Sequence, residues 1–170
     1  MSLDLQPVLE NKWVKLRPLE IGDLEPLFQA AKDPLIWEQH PCKRHQRMEF
    51  ESYFEESLQS KGALVVIDQT TQHIIGSSRY KLLPQIPHGL EIGWSFLSRS
   101  YWGGATNGAV KSLMLEHAFK YTNQVVFIID PQNIRSQKAV EKIGGVKVDL
   151  SQDPQLQVIA GSNLIFMVSQ

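Results

Sequence analysis

The sequence predicts a mixed α/β fold in which antiparallel strands come first and a parallel strand pair follows. Three stretches carry this prediction. Gly89–Leu97 reads as a strand, Trp102-Gly-Gly-Ala-Thr-Asn107 as a small-residue turn, and 106–121 as a helix. In that helix Val110, Leu113, Met114, Ala118 and Tyr121 recur at three- and four-residue intervals, so one apolar stripe is available to cover a sheet. Gln124-Val-Val-Phe-Ile-Ile-Asp130 follows, with five consecutive apolar residues between polar ends, the pattern of a strand buried on both faces. Strand, turn, helix and parallel strand form a right-handed crossover, which places the turn at the carboxyl end of the first strand, where α/β sheets bind ligands. Ahead of it, 63–68 and 73–83 are joined by Gln-Thr-Thr-Gln and read as an antiparallel hairpin.

Taken in order, Trp13-Val-Lys-Leu-Arg17 alternates apolar with basic residues and stops at Pro18, as an edge strand does. Asp23 is placed to cap a short helix, with Pro26 inside the first turn and Leu24, Leu27, Phe28 and Ala31 on the buried face. Asp33-Pro34 ends it. The irregular stretch 35–45 brings Trp37, Glu38 and His40 forward as candidates to line a substrate mouth, although such residues in a loop also pack or solvate without binding anything. A second helix follows, with Phe50, Tyr53, Phe54 and Leu58 on one side and Glu49, Glu51, Glu55 and Glu56 mostly on the other. Pro84 and Pro87 punctuate the connection into the Leu90 strand. At the end, 146–150 and 163–168 read as two closing strands separated by a polar stretch over 151–157.

With 170 residues and 42% apolar content, 1–170 is expected to be one domain. Lys and Arg total 17 against 18 Asp and Glu, a net charge of -1 without a block of like charges, which argues against a nucleic-acid partner. Cys42 is the single cysteine, so no intrachain disulfide forms and a reducing compartment is expected. No apolar run approaches the roughly 20 residues that span a bilayer, and the first residues lack the features of a signal peptide. A cytoplasmic protein without membrane attachment or a metal site is expected, as a monomer or a homodimer.

The central turn has its own chemistry. The first N–H groups of a helix have no partner within it, and the aligned peptide dipoles leave partial positive charge there. Gly103 and Gly104 remove side chains that would keep a phosphate away, and no Asp or Glu occurs between Ser98 and Glu116. The turn therefore fits a diphosphate, though a tight turn alone also uses such glycines.

Four pieces now stand in register: Leu16-Arg-Pro-Leu19 with Asp23, Glu91-Ile-Gly-Trp94, Tyr101-Trp-Gly-Gly-Ala-Thr-Asn107 with Lys111, and Asn133-Ile-Arg-Ser136 leading to Glu141-Lys-Ile-Gly144. In these the chain resembles the GNAT superfamily of acyl-coenzyme A N-acyltransferases, and within it the ribosomal-protein N-terminal acetyltransferase (RimJ/RimL-like) branch. The resemblance implies a mixed, mostly antiparallel sheet of about seven strands, splayed between the fourth (Leu90) and fifth (Gln124) strands, with about four flanking helices. It implies acetyl-CoA as cosubstrate. The diphosphate would sit on Trp102, Gly103, Gly104, Ala105, Thr106 and Asn107, and pantetheine would pair with the backbone of Trp94, Ser95, Phe96 and Leu97, with Asn133 also on the cofactor side. The chain departs from the family where Ser100 replaces an Arg or Gln and where Gly108 and Ala109 replace a Thr-Glu pair, which implies either weaker coenzyme A binding or a charge supplied by the adjacent Arg99.

Acetyl transfer to an amine needs a neutral amine, a site for the developing oxyanion and a proton for the departing thiolate. Gly93 within a strand marks a bulge or a close backbone approach, which makes the N–H groups of Trp94, Ser95 and Phe96 the oxyanion candidates. Glu91 alternates with Leu90, Ile92, Trp94 and Phe96 and so projects from the opposite face; it is the candidate base, although a surface carboxylate on a half-exposed strand would read the same way. Ser136 lies one turn into a helix over 134–143 that Asn133 caps. Many relatives carry a tyrosine where Val140 stands, and the resemblance assigns Ser136 the proton-donor position. Deprotonating a lysine amine at pH 7 costs roughly 4.6 kcal/mol, against about 1 to 1.4 kcal/mol for an α-amine. The acceptor is therefore expected to be an α-amine or another amine of low pKa. The expected activity is direct N-acetylation of a peptide N-terminus or a small amine; the alternative is an acyl-coenzyme A binding module without catalysis. A dinucleotide oxidoreductase is disfavoured because Gly103-Gly104 lacks Gly-x-Gly-x-x-Gly spacing and does not open the fold.

Overall fold

The computed structural model describes residues 2–170. The chain runs β1 (Leu9–Glu10), β2 (Val14–Pro18), α1 (Leu24–Ala31), α2 (Arg47–Ser60), β3 (Ala63–Asp68), β4 (Ile74–Leu83), β5 (Gly89–Leu97), α3 (Thr106–Ala118), β6 (Gln124–Ile129), α4 (Ile134–Lys142), β7 (Val146–Lys147), α5 (Pro154–Ala160) and β8 (Leu164–Ser169). One sheet holds the strands in the order β1-β2-β3-β4-β5-β6-β8-β7. Every pairing is antiparallel except β5 with β6. The sequence anticipated this mixed, mostly antiparallel sheet. Its eighth strand is the two-residue β1, which is too short to leave a periodic signal.

Apolar runs and alternation both find their explanation in burial. In β3, Leu64 and Val66 enter the core beneath α3, with Leu16, Tyr80, Leu90 and Met114. Ala63, Val65 and Ile67 enter the opposite core, with Leu27, Phe50, Tyr53 and Phe54 of α1 and α2. A strand covered on both sides has no polar face to show, and each fully buried Leu or Val contributes about 1.5–3 kcal/mol.

Three local expectations are corrected. Asp23 does not cap α1 with its side chain. Its carboxylate instead receives both terminal nitrogens of Arg17 at 2.8 Å and the Glu20 N–H at 2.8 Å, so the Leu16-Arg-Pro-Leu19 and Asp23 motif is a fork between strand and helix. The polar stretch 151–157 is not simply a loop: Asp153 accepts the Gln155 and Leu156 N–H groups, Pro154 occupies the first turn, and α5 follows. The closing strand expected over 146–150 shortens to β7, and where about four helices were expected the described residues form five α-helices.

Candidate active site

The crossover holds the site open. Although β5 and β6 run in parallel, Glu91 opposite Val126 is their single paired position. Beyond it the two strands part, at the place where the splay was expected.

A bulge re-aims the last part of β5. Arg79 of β4 faces Gly93 and Ser77 faces Phe96, so Ser78 alone opposes Trp94 and Ser95. Trp94 carries the extra residue's twist, with φ 52° in the left-handed region. Two groups secure it from opposite sides of the sheet. The Tyr53 hydroxyl of α2 donates to the Trp94 carbonyl (3.2 Å), and Lys111 Nζ of α3 donates to Ser95 Oγ (2.6 Å), which also bonds Ser78 Oγ (2.7 Å). The bulge corrects the expected alternation. Leu90 and Ile92 stay beneath α3, but Phe96 turns to the α1–α2 side, its ring 5.2 Å from Trp37, and so shares the face of Glu91.

Glu91 is only 5% exposed, which removes the surface reading of this residue. Its carboxylate lies over Gly93, where an added Cβ would meet Oε1 at 3.1 Å, so glycine there leaves the carboxylate its space. Burial raises its pKa to about 7, partly offset by Lys81 and Arg79 on the same face.

At the carboxyl end of β5, the N–H groups of Gly103 through Gly108 meet no acceptor among the described residues, and no side chain caps α3. Gly103 has φ 73°, and a Cβ built on Gly103, Gly104 or Gly108 touches nothing within 4 Å. A diphosphate therefore has both donors and room, so the residues present fit coenzyme A. Trp102 closes the base of the turn, its indole N–H donating to the Leu97 carbonyl (2.9 Å). Arg135 of α4 stacks on Trp102 (4.1 Å) and reaches the Glu38 carboxylate at 3.8 Å. Arg99 is bound to Asp33 at the end of α1, so its charge is already engaged there.

Asn133 spends its side-chain oxygen on the Ser136 N–H (3.2 Å) and caps α4 as expected. The Ser136 hydroxyl bonds no described residue. Trp37 does not stand at a rim: it is 2% exposed, and its indole N–H donates to the Ala31 carbonyl (2.8 Å). Glu38 meets α4 through Arg135. His40 accepts the Cys42 N–H at Nδ1 (2.9 Å); burial and the Arg44 charge pull its pKa down to about 4, so it is neutral at pH 7.

Lys111 was legible only as part of a motif. Its spacing to Met114, Leu115 and Ala118 puts a lysine inside an apolar stripe, and it is 6% exposed with no carboxylate partner. Burial lowers its pKa to about 8. Between about 8 and the ordinary 10.5 the unfolded chain holds the proton more firmly than the folded one, so stability rises with pH across that window. Denaturant unfolding should show a gain of about 1 kcal/mol from pH 8 to pH 9 that Lys111→Met abolishes.

The sequence profile of the acetyltransferase (GNAT) domain matches residues 14–146. The chain belongs to the GNAT acetyltransferase family and is an acetyltransferase, and members of this family use acetyl-CoA. Its fold is shared with a GCN5-related N-acetyltransferase from Brucella melitensis (TM-score 0.79, 19% identity, 96% of this chain and 79% of that one). It is also shared with a proposed ribosomal-protein-serine acetyltransferase from Vibrio cholerae (TM-score 0.77, 16% identity, all of both chains, 100% and 100%). Mycobacterium smegmatis RimJ, solved in complex with CoA-disulfide, is similar at TM-score 0.63 and 16% identity over 96% of this chain and 86% of that one. No curated protein sequence matches the chain significantly.

Proposed function

We propose that residues 1–170 act as one domain that transfers an acetyl group directly from acetyl-CoA to the α-amine of an acceptor, with no covalent intermediate on the enzyme. The observation that carries this reading is Glu91, a buried carboxyl beside the bulge at the start of the splay, with a pKa of about 7. Such a group is half ionised near neutral pH and accepts a proton there efficiently.

Acetyl-CoA, when bound, supplies the activated acetyl group. The unpaired N–H groups from Gly103 to Asn107 hold its diphosphate, and the backbone of Trp94 to Leu97 aligns the arm that leads to the acetyl end. Glu91 takes the proton of the amine, directly or through one water. N–H groups at the bulge, fixed by Tyr53 and Lys111, stabilise negative charge developing at the carbonyl. The free hydroxyl of Ser136 offers a hydrogen bond to the departing sulfur. One carboxylate near pKa 7 is adequate for an α-amine and poorly matched to a lysine. The RimJ/RimL-like motifs support the same class of acceptor.

The test is thiol release from acetyl-CoA over a panel of α-amines, lysine side chains and peptides. Turnover of α-amines at least tenfold above lysine side chains, reduced by Ser136→Ala, is the expected result. Binding of acetyl-CoA without turnover of any amine would instead favour the non-catalytic binding module.

A further inference from the structure

Two buried arginines on the Glu91 side of the sheet are incompletely paired: Arg44 meets no carboxylate, and Arg79 has only a long contact to Glu56. Arg44, in the loop before α2, is 9% exposed, and its guanidinium makes no hydrogen bond or ion pair with any described residue. It packs over the Tyr53 ring at 4.4 Å and lies 5.5 Å from the Trp37 ring. Arg79 of β4 is 3% exposed. It donates to Ser57 Oγ (2.5 Å), stands 3.7 Å from Glu56, and leaves its Nε–H buried with no acceptor. Its Cζ lies 5.9 Å from the same Tyr53 ring and 4.3 Å above Trp94. Tyr53 thus stands beside both guanidiniums while its hydroxyl holds the bulge. Arg79 pairs across the ladder with Gly93, over which the Glu91 carboxylate lies, so Arg79 and the candidate base share one face of adjacent strands.

Burying a cation without a partner is costly, and a second cation beside it adds repulsion. Of the carboxylates in this neighbourhood, Glu56 stands 3.7 Å from Arg79, Glu91 lies over Gly93, and Glu49 shares the Arg44 cleft without a bond to its guanidinium. Glu49 nearby is turned instead to the Lys43 N–H (2.7 Å). The arginines are not sealed off. Arg79 lines a cleft of about 470 Å³ with Lys81 and Trp94, Arg44 lines one of about 380 Å³ with Tyr53, and Glu56 belongs to the walls of both.

We propose that Arg44 and Arg79 form an anion subsite for the acceptor, and that the acceptor is an amino acid whose carboxylate lies on this pair while its amine meets Glu91. The planar guanidinium fork matches a carboxylate, which supplies the acceptor that Arg44 and the Arg79 Nε–H lack. A peptide presents a neutral amide at that position and gives the guanidiniums no charged partner. This rests on the transferase reading and narrows its acceptor from α-amines in general to those bearing a free acid.

The experiment compares free amino acids with their own carboxamides as acceptors at saturating acetyl-CoA, in the wild-type protein and in Arg44→Met and Arg79→Gln. The acids should exceed the amides at least tenfold in kcat/KM, and Arg44→Met should reduce that ratio to near one while leaving the KM for acetyl-CoA within about twofold. Arg44 bonds no neighbour, so this variant is expected to fold even if Arg79→Gln does not. Carboxamides or peptides turned over as fast as the acids, or a ratio unchanged in Arg44→Met, would overturn the proposal while leaving the transferase standing. Calorimetric titration of N-acetylated amino acids and their amides into the enzyme saturated with CoA reads the subsite without turnover. Tighter binding of the acids, lost in Arg44→Met, supports it; equal binding of acid and amide refutes it.

Discussion

Glu91→Gln should lower kcat by about two to four orders of magnitude while acetyl-CoA still binds, because it removes the one titratable acceptor buried beside the open end of β5. In the wild-type protein kcat should climb with pH until the carboxyl ionises at about 7, and this limb should vanish in the variant. The same substitution should strengthen the fold. The buried carboxyl keeps its proton to higher pH than the unfolded one, so the folded state binds more protons between the ordinary 4.5 and about 7, and stability falls as pH rises through that window. A neutral amide escapes that penalty. At pH 8 the gain reaches up to about 3 kcal/mol, less what the amide loses through unmet hydrogen bonds. A steady-state pH profile alongside urea unfolding measures both. An active variant with an unchanged acid limb would exclude Glu91 as the base.

Ala105→Asp should separate stability from cofactor binding in the same way. Ala105 occupies the cap position of α3, where it satisfies none of the free N–H groups. A carboxylate there meets the positive end of the helix and should stabilise the protein by about 0.5–1 kcal/mol. The N–H groups it occupies and the charge it adds are those a diphosphate needs, so the KM for acetyl-CoA should rise at least thirtyfold, with kcat recovering at saturation. Thermal melts and initial rates over a range of acetyl-CoA concentrations check the two halves. A KM within twofold of wild type would show that the diphosphate is held elsewhere.

Much of the architecture is written in local pattern. The apolar run of β6, the hairpin of β3 and β4 and the glycines before α3 each depend on neighbours a few residues away, and the motif residues appear in family order. The Asp153-Pro154 start of α5 is equally local, a capping signal that the reading of 151–157 as a polar stretch does not use. Trp37 reads as a loop residue in sequence because its burial depends on α1, α2 and Phe96 closing around it.

By itself, then, the sequence determined the order of strands and helices from β2 to β6, the place of the crossover and the free N–H groups at its turn, since each follows from short-range periodicity and steric freedom. Tertiary structure alone decided which face each site residue joins. One residue inserted opposite Ser78 reverses the alternation of β5, and with it Phe96 comes round to the side of Glu91. Burial of Lys111, and the meeting of Arg44 with Arg79 at Tyr53, likewise arise from packing between segments far apart in the chain. The cost of placing a charge there depends on how much water the surrounding elements exclude, and that is a property of their assembly in space.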